Sequence, residues 1–262
     1  APQDGFPVLY AFDADLSFLA LANMAQTVGR MARKAKLAPP MVVAIGYTEP
    51  GIWTKRRTYD LTPPTDIRKM PKRPNGQPWP KTGGGDAFLD VLIDEIKPFI
   101  RSKYPVDRSA ETLSGHSLGG LLALHALHTR EGAFDRYVAS SPSLWFGAPE
   151  TSEKLIAFQE RTASGTSRKI PLRLTVGLAE ESPTRWHARS GESAESRKAW
   201  LENGRMVGNS KDLAEALARI DGAIKLSFET YSGLGHAAAS FPALYQALEF
   251  AVAPDTFYQI AD

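Results

Sequence analysis

Apolar residues along this chain fall into two rhythms. Short runs rich in β-branched, aromatic and aliphatic residues stand at 7–12 (PVLYAF), 41–47 (MVVAIGY), 111–115 (ETLSG), 136–140 (RYVAS), 170–176 (IPLRLTV) and 224–230 (IKLSFET). Runs of this length predict buried strands. Between them, apolar positions three and four residues apart predict helices at about 16–37, 86–104, 117–130, 151–162, 209–221 and 240–252. Such alternation predicts an α/β fold with a mainly parallel central sheet and helices on both faces. Two segments break the rhythm. Residues 62–82 hold six prolines and five Lys/Arg around one tryptophan and continue neither helix nor strand. Residues 182–208 read as a polar, irregular loop in which SAESRKAWL forms at most one short helix.

Composition narrows the picture in three ways. At 262 residues and 43% hydrophobic content, a chain buries roughly 70–75% of its unfolded surface, enough for one domain. Thirty-one Lys/Arg against 29 Asp/Glu leave a net charge of +2, so no overall field draws in nucleic acid or a membrane surface. The absence of cysteine excludes disulfides, thiolate metal sites and a cysteine nucleophile. Apolar segments such as 88–100 and 118–127 are too short or interrupted to cross a bilayer, so a soluble monomer is expected. The chain opens at Ala1 without an initiating methionine, which points to a processed product whose targeting segment is not shown.

The chemistry concentrates around Gly115-His116-Ser117-Leu118-Gly119. This matches G-x-S-x-G with a strand before it and a helix after it, the context in which the serine stands exposed on a strained turn. Glycines on either side are needed because larger side chains would collide with the neighbouring strand and helix. The alternative, an N-cap serine in a glycine-rich turn, leaves that spacing unused. At the start of the following helix, the Leu118 N–H is aimed to receive an oxyanion.

A serine nucleophile needs a base and usually an acid, in the order serine, acid, histidine. Of five histidines, His116, His125 and His128 lie within or just beyond the elbow and His187 lies in the irregular segment. His236, in YSGLGHAAASF after the last predicted strand, is where a base belongs. His125 and His128 stand three apart on one helix, but their apolar neighbours favour core packing over a metal pair. The acid should follow IPLRLTV, where GLAEES offers Glu180 and Glu181; Glu180 is preferred, with a Ser–His dyad as the alternative. A second oxyanion amide should come from the loop after PVLYAF, at Ala14 or Asp15. No cofactor and no metal are called for.

These residues resemble the esterase-D-like α/β-hydrolases, and within them the bacterial ferri-siderophore esterases that cut enterobactin and related trilactones. The likeness rests on PVLYAFDAD, VVAIGY, RRTYDLTP, GGGDAFLDVLIDEIKPFI, GHSLGGLLALHAL, FDRYVASSPSLWF, VGLAEE and GLGH. It implies an α/β-hydrolase fold and a serine esterase with Ser117 as nucleophile and His236 as base, acting on a ferric siderophore; triads and dyads both occur in the family. It leans towards a periplasmic location, with the cytoplasm as alternative. The chain departs from the family in three places: DA stands where DG is usual after the first buried strand, the antiparallel strands that commonly precede PVLY are absent or nearly so, implying a shortened sheet or an incomplete chain, and the loop at 62–82 is unusually basic.

A ferric tris-catecholate is anionic and carries flat rings, so guanidinium groups suit it. Arg56 and Arg57 are candidates, and Trp145 in SPSLWF is a candidate pocket wall. Lys69, Lys72, Arg73 and Trp79 lack the fold context of a nucleic-acid patch. The competing expectations are a feruloyl, acetyl or small thioester substrate on the same machinery, and a catalytically silent binding protein.

Overall fold

The computed structural model describes residues 2–48, 54–147, 149–163, 169–182 and 192–258. Six strands form one parallel sheet: β1 (Phe6–Phe12), β2 (Met41–Ile45), β3 (Val106–His116), β4 (Arg136–Ser140), β5 (Ile170–Gly177) and β6 (Ile224–Tyr231), in the order β2-β1-β3-β4-β5-β6. No antiparallel strand precedes β1 among the described residues.

The period-two pleat of β1 divides the core. Val8, Tyr10 and Phe12 face one side, where they pack with α5 (Leu118–Thr129), α6 (Glu150–Arg161) and α8 (Met206–Ala218). Leu9 and Ala11 face the other, covered by α1 (Ala14–Lys34) and α9 (His236–Val252). Helix α5 is buried from Leu118 through Leu127, which explains why its sequence is apolar all round rather than striped. Its His125 and His128 are absorbed into this packing, their rings 5.2 Å apart, with His125 bonded to Asp86 (2.9 Å) and His128 to the Leu124 carbonyl (3.0 Å).

Several element boundaries differ from the expectations. The helix expected at 86–104 is α3 (Gly85–Val91) and α4 (Lys97–Lys103) joined by a π turn at Leu92–Ile96. RRTYDLTP overlaps a six-residue helix, α2 (Lys55–Asp60), capped by the Thr54 hydroxyl accepting from the Arg57 N–H at 3.0 Å. The 182–208 segment is more ordered than a loop where it is described: α7 spans Ala194–Gly204 and α8 begins at Met206. The α9 helix begins at His236 rather than near 240, starting directly after Gly235. No described helix is long and apolar enough to cross a membrane.

Candidate active site

Three adjacent strands, β1, β3 and β4, end at their carboxyl edge in the same unusual way. Each is followed by a non-glycine residue at positive φ: Asp13 (φ 61°), Ser117 (φ 60°) and Ser141 (φ 42°). Backbone of this kind costs of order 1–3 kcal/mol per residue and persists where surrounding contacts over-determine it. Every one of the three belongs to the constellation built here.

Ser117 stands between β3 and α5 at φ 60°, ψ −119°. Its N–H is tied to the Ser140 carbonyl at 3.0 Å, and its carbonyl accepts from Leu121 (3.0 Å) and Ser143 (3.1 Å). Gly115 is compulsory because a Cβ there would lie 2.2 Å from the Gly119 carbonyl carbon. The Ser117 hydroxyl lies 3.3 Å from the Ser143 hydroxyl. The ladder of α5 starts with Leu121, which leaves the Leu118 N–H outside it.

The elbow packs against the loop after β1. A Cβ at Gly119 would sit 3.4 Å from the Phe12 side chain and 3.7 Å from an Asp13 carboxylate oxygen. Helix α1 begins here, and its ladder opens with Leu16 and Ser17 donating to the Asp13 carbonyl at 3.0 and 3.1 Å. The N–H groups of Ala14 and Asp15 therefore precede the first helical bond. The DA departure has a local answer. The left-handed residue is Asp13, Ala14 is helical, and its methyl is accommodated because position 46 is glycine; a Cβ at Gly46 would come within 2.9 Å of it. The Asp15 carboxylate accepts from the Tyr47 N–H at 3.1 Å.

The two acidic candidates part company in space. Glu180 sits on the turn after β5, where its Oε1 accepts from the Gly177 N–H (2.8 Å) and the Ser141 hydroxyl (2.5 Å), while Oε2 lies 2.6 Å from His236 Nδ1. Its side chain is fully buried, and that of His236 is about one-third exposed at 34%. Glu181 turns away and accepts the N–H groups of Val207 and Gly208 (2.8 and 3.0 Å), capping the start of α8. With Nδ1 committed to Glu180, the nitrogen His236 has left for chemistry is Nε2. The His236 ring packs against that of His116, the residue preceding Ser117, at 4.5 Å between centroids. Burial, with smaller contributions from His236 and Arg57, holds the His116 pKa well below the usual imidazole range. His116 is accordingly neutral, and its Nδ1 meets the Ser140 hydroxyl at 3.0 Å.

The arginine candidates have different surroundings. Arg57 is buried, and its guanidinium grips Asp13 with Nε to Oδ1 at 2.5 Å and a terminal nitrogen to Oδ2 at 2.8 Å. Offered by the sequence as a group for substrate, Arg57 here holds with its fork the loop carrying Ala14 and Asp15. Nothing in the sequence pairs positions 44 residues apart, so Asp13 escaped notice there. Arg56 is 59% exposed and pairs with Asp60 at 2.7 Å. Trp145 is half-buried among other aromatic rings. His187 lies outside the described residues. Among the described residues no cluster of three or more His, Asp or Glu suits a metal ion.

An α/β-hydrolase sheet carrying a serine elbow and a carboxylate-bound histidine defines an ester-hydrolysing serine hydrolase. The chain belongs to the esterase family whose model, described as "Putative esterase", matches residues 1–216. It is 32% identical over 255 residues to the ferri-bacillibactin esterase BesA of Bacillus subtilis (strain 168), a match covering 97% of this chain and 81% of that protein. It is 33% identical over 246 residues to a siderophore enterobactin esterase of Emericella nidulans, covering 92% of this chain and 80% of that protein. Among solved structures it is similar to the siderophore hydrolase EstA from Aspergillus nidulans, with a TM-score of 0.80, 31% identity, and coverage of 95% of this chain and 83% of that chain.

Proposed function

We propose that this enzyme hydrolyses the ester bonds of a ferric catecholate siderophore trilactone, with Ser117 as nucleophile, His236 as general base and Glu180 as the group that orients it. The observation that carries the mechanism is the 2.6 Å contact between Glu180 and His236 Nδ1 at the same sheet edge as the strained Ser117. The substrate class rests on the relatives, which are named as ferri-bacillibactin and enterobactin esterases.

In the resting arrangement the Ser117 hydroxyl neighbours Ser143. Attack requires it to exchange that partner for His236 Nε2, the kind of tightening that accompanies substrate binding. Nε2 then takes the proton as Ser117 Oγ bonds to the ester carbonyl carbon. The Leu118 N–H, with Ala14 or Asp15 across the cleft, holds the developing oxyanion. Imidazolium formed at His236 is stabilised by the adjacent Glu180 carboxylate, and its proton passes to the departing alkoxide. Water attacks the acyl-serine with the same base, releasing the acid. The exposed Arg56 supplies a cation for the anionic substrate. Iron travels with the substrate.

The test is product analysis by mass spectrometry on ferric and iron-free enterobactin. Wild type should convert the ring to linear pieces and Ser117→Ala should leave it intact. Undiminished turnover by Ser117→Ala contradicts the mechanism, and a strong preference for a simple aryl acetate contradicts the substrate class.

A further inference from the structure

Among the described residues, three tryptophans take no part in the mechanism. Trp145 follows β4, Trp79 comes from the proline-rich segment and Trp200 from α7. The three meet pairwise: Trp145 and Trp200 at 5.0 Å between centroids, Trp79 and Trp145 at 5.7 Å, Trp79 and Trp200 at 6.1 Å. Each is only half-buried, whereas Phe146, which packs beneath both Trp79 and Trp145, is 1% exposed. A cluster formed only to close a core would hide its rings as Phe146 is hidden. Its position is informative too. Trp145 lies two residues after Ser143, whose hydroxyl touches that of Ser117. The cluster is therefore joined through Trp145 to the turn whose Ser143 hydroxyl lies 3.3 Å from that of Ser117.

A cation stands at its edge. The Arg73 guanidinium lies 5.5 Å from the Trp79 ring centre and donates to the Pro78 carbonyl at 3.1 Å. The Trp79 indole N–H is anchored on the Pro71 carbonyl at 2.8 Å. These bonds fix the ring in place, so that stacking a ligand on it costs little ordering of the side chain. Partly exposed indoles combined with a guanidinium suit a ligand that is flat, electron-rich and anionic.

We infer that Trp79, Trp145 and Trp200, flanked by Arg73, form a subsite that takes a catecholate ring of the ester substrate beside the Ser117 elbow. The inference rests on the esterase reading and deepens it by assigning the ring-binding surface. It also gives the proline-rich segment a role: rigid backbone between Pro71 and Pro80 presents Trp79 with little entropic loss.

The experiment compares Trp79→Leu, Trp200→Leu and Trp200→Phe on three substrates: enterobactin, a trihydroxamate ester without aryl groups, and ethyl butyrate followed by pH-stat. The leucine variants should raise KM for enterobactin about tenfold or more, the scale of a lost base-type stack, while the other two substrates change less than twofold. Trp200→Phe should restore most of the loss. Equal losses on all three substrates would show that the cluster merely holds the fold, and an unchanged KM for enterobactin would show that no ring binds there; either result overturns the subsite. A second measurement reads binding without turnover: calorimetric titration of Ser117→Ala with a 2,3-dihydroxybenzoyl amide. Saturable binding that disappears in Ser117→Ala/Trp200→Leu supports the subsite, and absence of binding to Ser117→Ala overturns it. Ethyl butyrate turnover by wild type reports the esterase machinery separately, so failure of the subsite and failure of the catalytic reading are told apart.

Discussion

At the scale of single residues, Ser117 shows a conflict between stability and chemistry. Its φ of 60° with ψ of −119° is a region where glycine is at ease and other residues are strained. Ser117→Gly should therefore stabilise the protein by about 1 kcal/mol relative to Ser117→Ala, seen as a melting temperature about 2–4 °C higher. Equal melting temperatures would show that the elbow is unstrained. Glu180 makes a different case, because its two oxygens serve Gly177, Ser141 and His236 at once. Glu180→Gln keeps the shape and removes the charge that steadies an imidazolium, so kcat should fall by about 10²–10⁴-fold with little change in KM. Glu181→Gln should leave kcat nearly intact. A reversal of the two would move the acid to the neighbouring position. The sequence left both glutamates open, since adjacent positions at a loop end share every pattern. Their separation became visible only because α8 starts where Glu181 can cap it.

At the scale of elements, strand and helix alternation was legible because it follows from burial on both faces of one sheet. Where reading fell short, the cause was local. Helix α2 is six residues long and adjoins prolines, so no apolar period has room to show. Helix α9 starts four residues before its apolar spacing becomes regular, because GLGHAAAS offers a glycine stop and alanines rather than a stripe. The task of α2 was equally hidden: it brings Arg57 to Asp13, so a helix from one part of the chain holds the loop after β1, which carries Ala14 and Asp15. Arg57→Lys cannot reproduce a two-nitrogen grip. It should lower kcat about tenfold or more and cost about 1–3 kcal/mol in a denaturant titration. A variant with wild-type kcat would show that the loop holds its conformation without the clamp.

At the scale of the whole molecule, three histidines share one electrostatic property. Burial is the largest cause in each, and it lowers the pKa of His116 far below 6.5, that of His125 below 6.5, and that of His128 to about 4. Each ring binds its proton more weakly in the folded state. Between pH 6.5 and about 4 the unfolded chain therefore holds more protons, so stability is present above this window and is lost as pH falls through it. The melting temperature should decline steadily from pH 6.5 to 4.5, and His128→Gln should flatten part of that slope. A level profile across the window would mean that the rings are solvated.

The central claim is that elements far apart in the chain meet so that His236, held by Glu180, activates Ser117. The most direct measurement is the rate and site of labelling by a fluorophosphonate, followed by intact mass and peptide mapping. Wild type should gain one adduct, on the peptide carrying Ser117, with none in Ser117→Ala and labelling slowed about 10²-fold or more in His236→Gln. An adduct elsewhere, or His236→Gln labelled as fast as wild type, would contradict it.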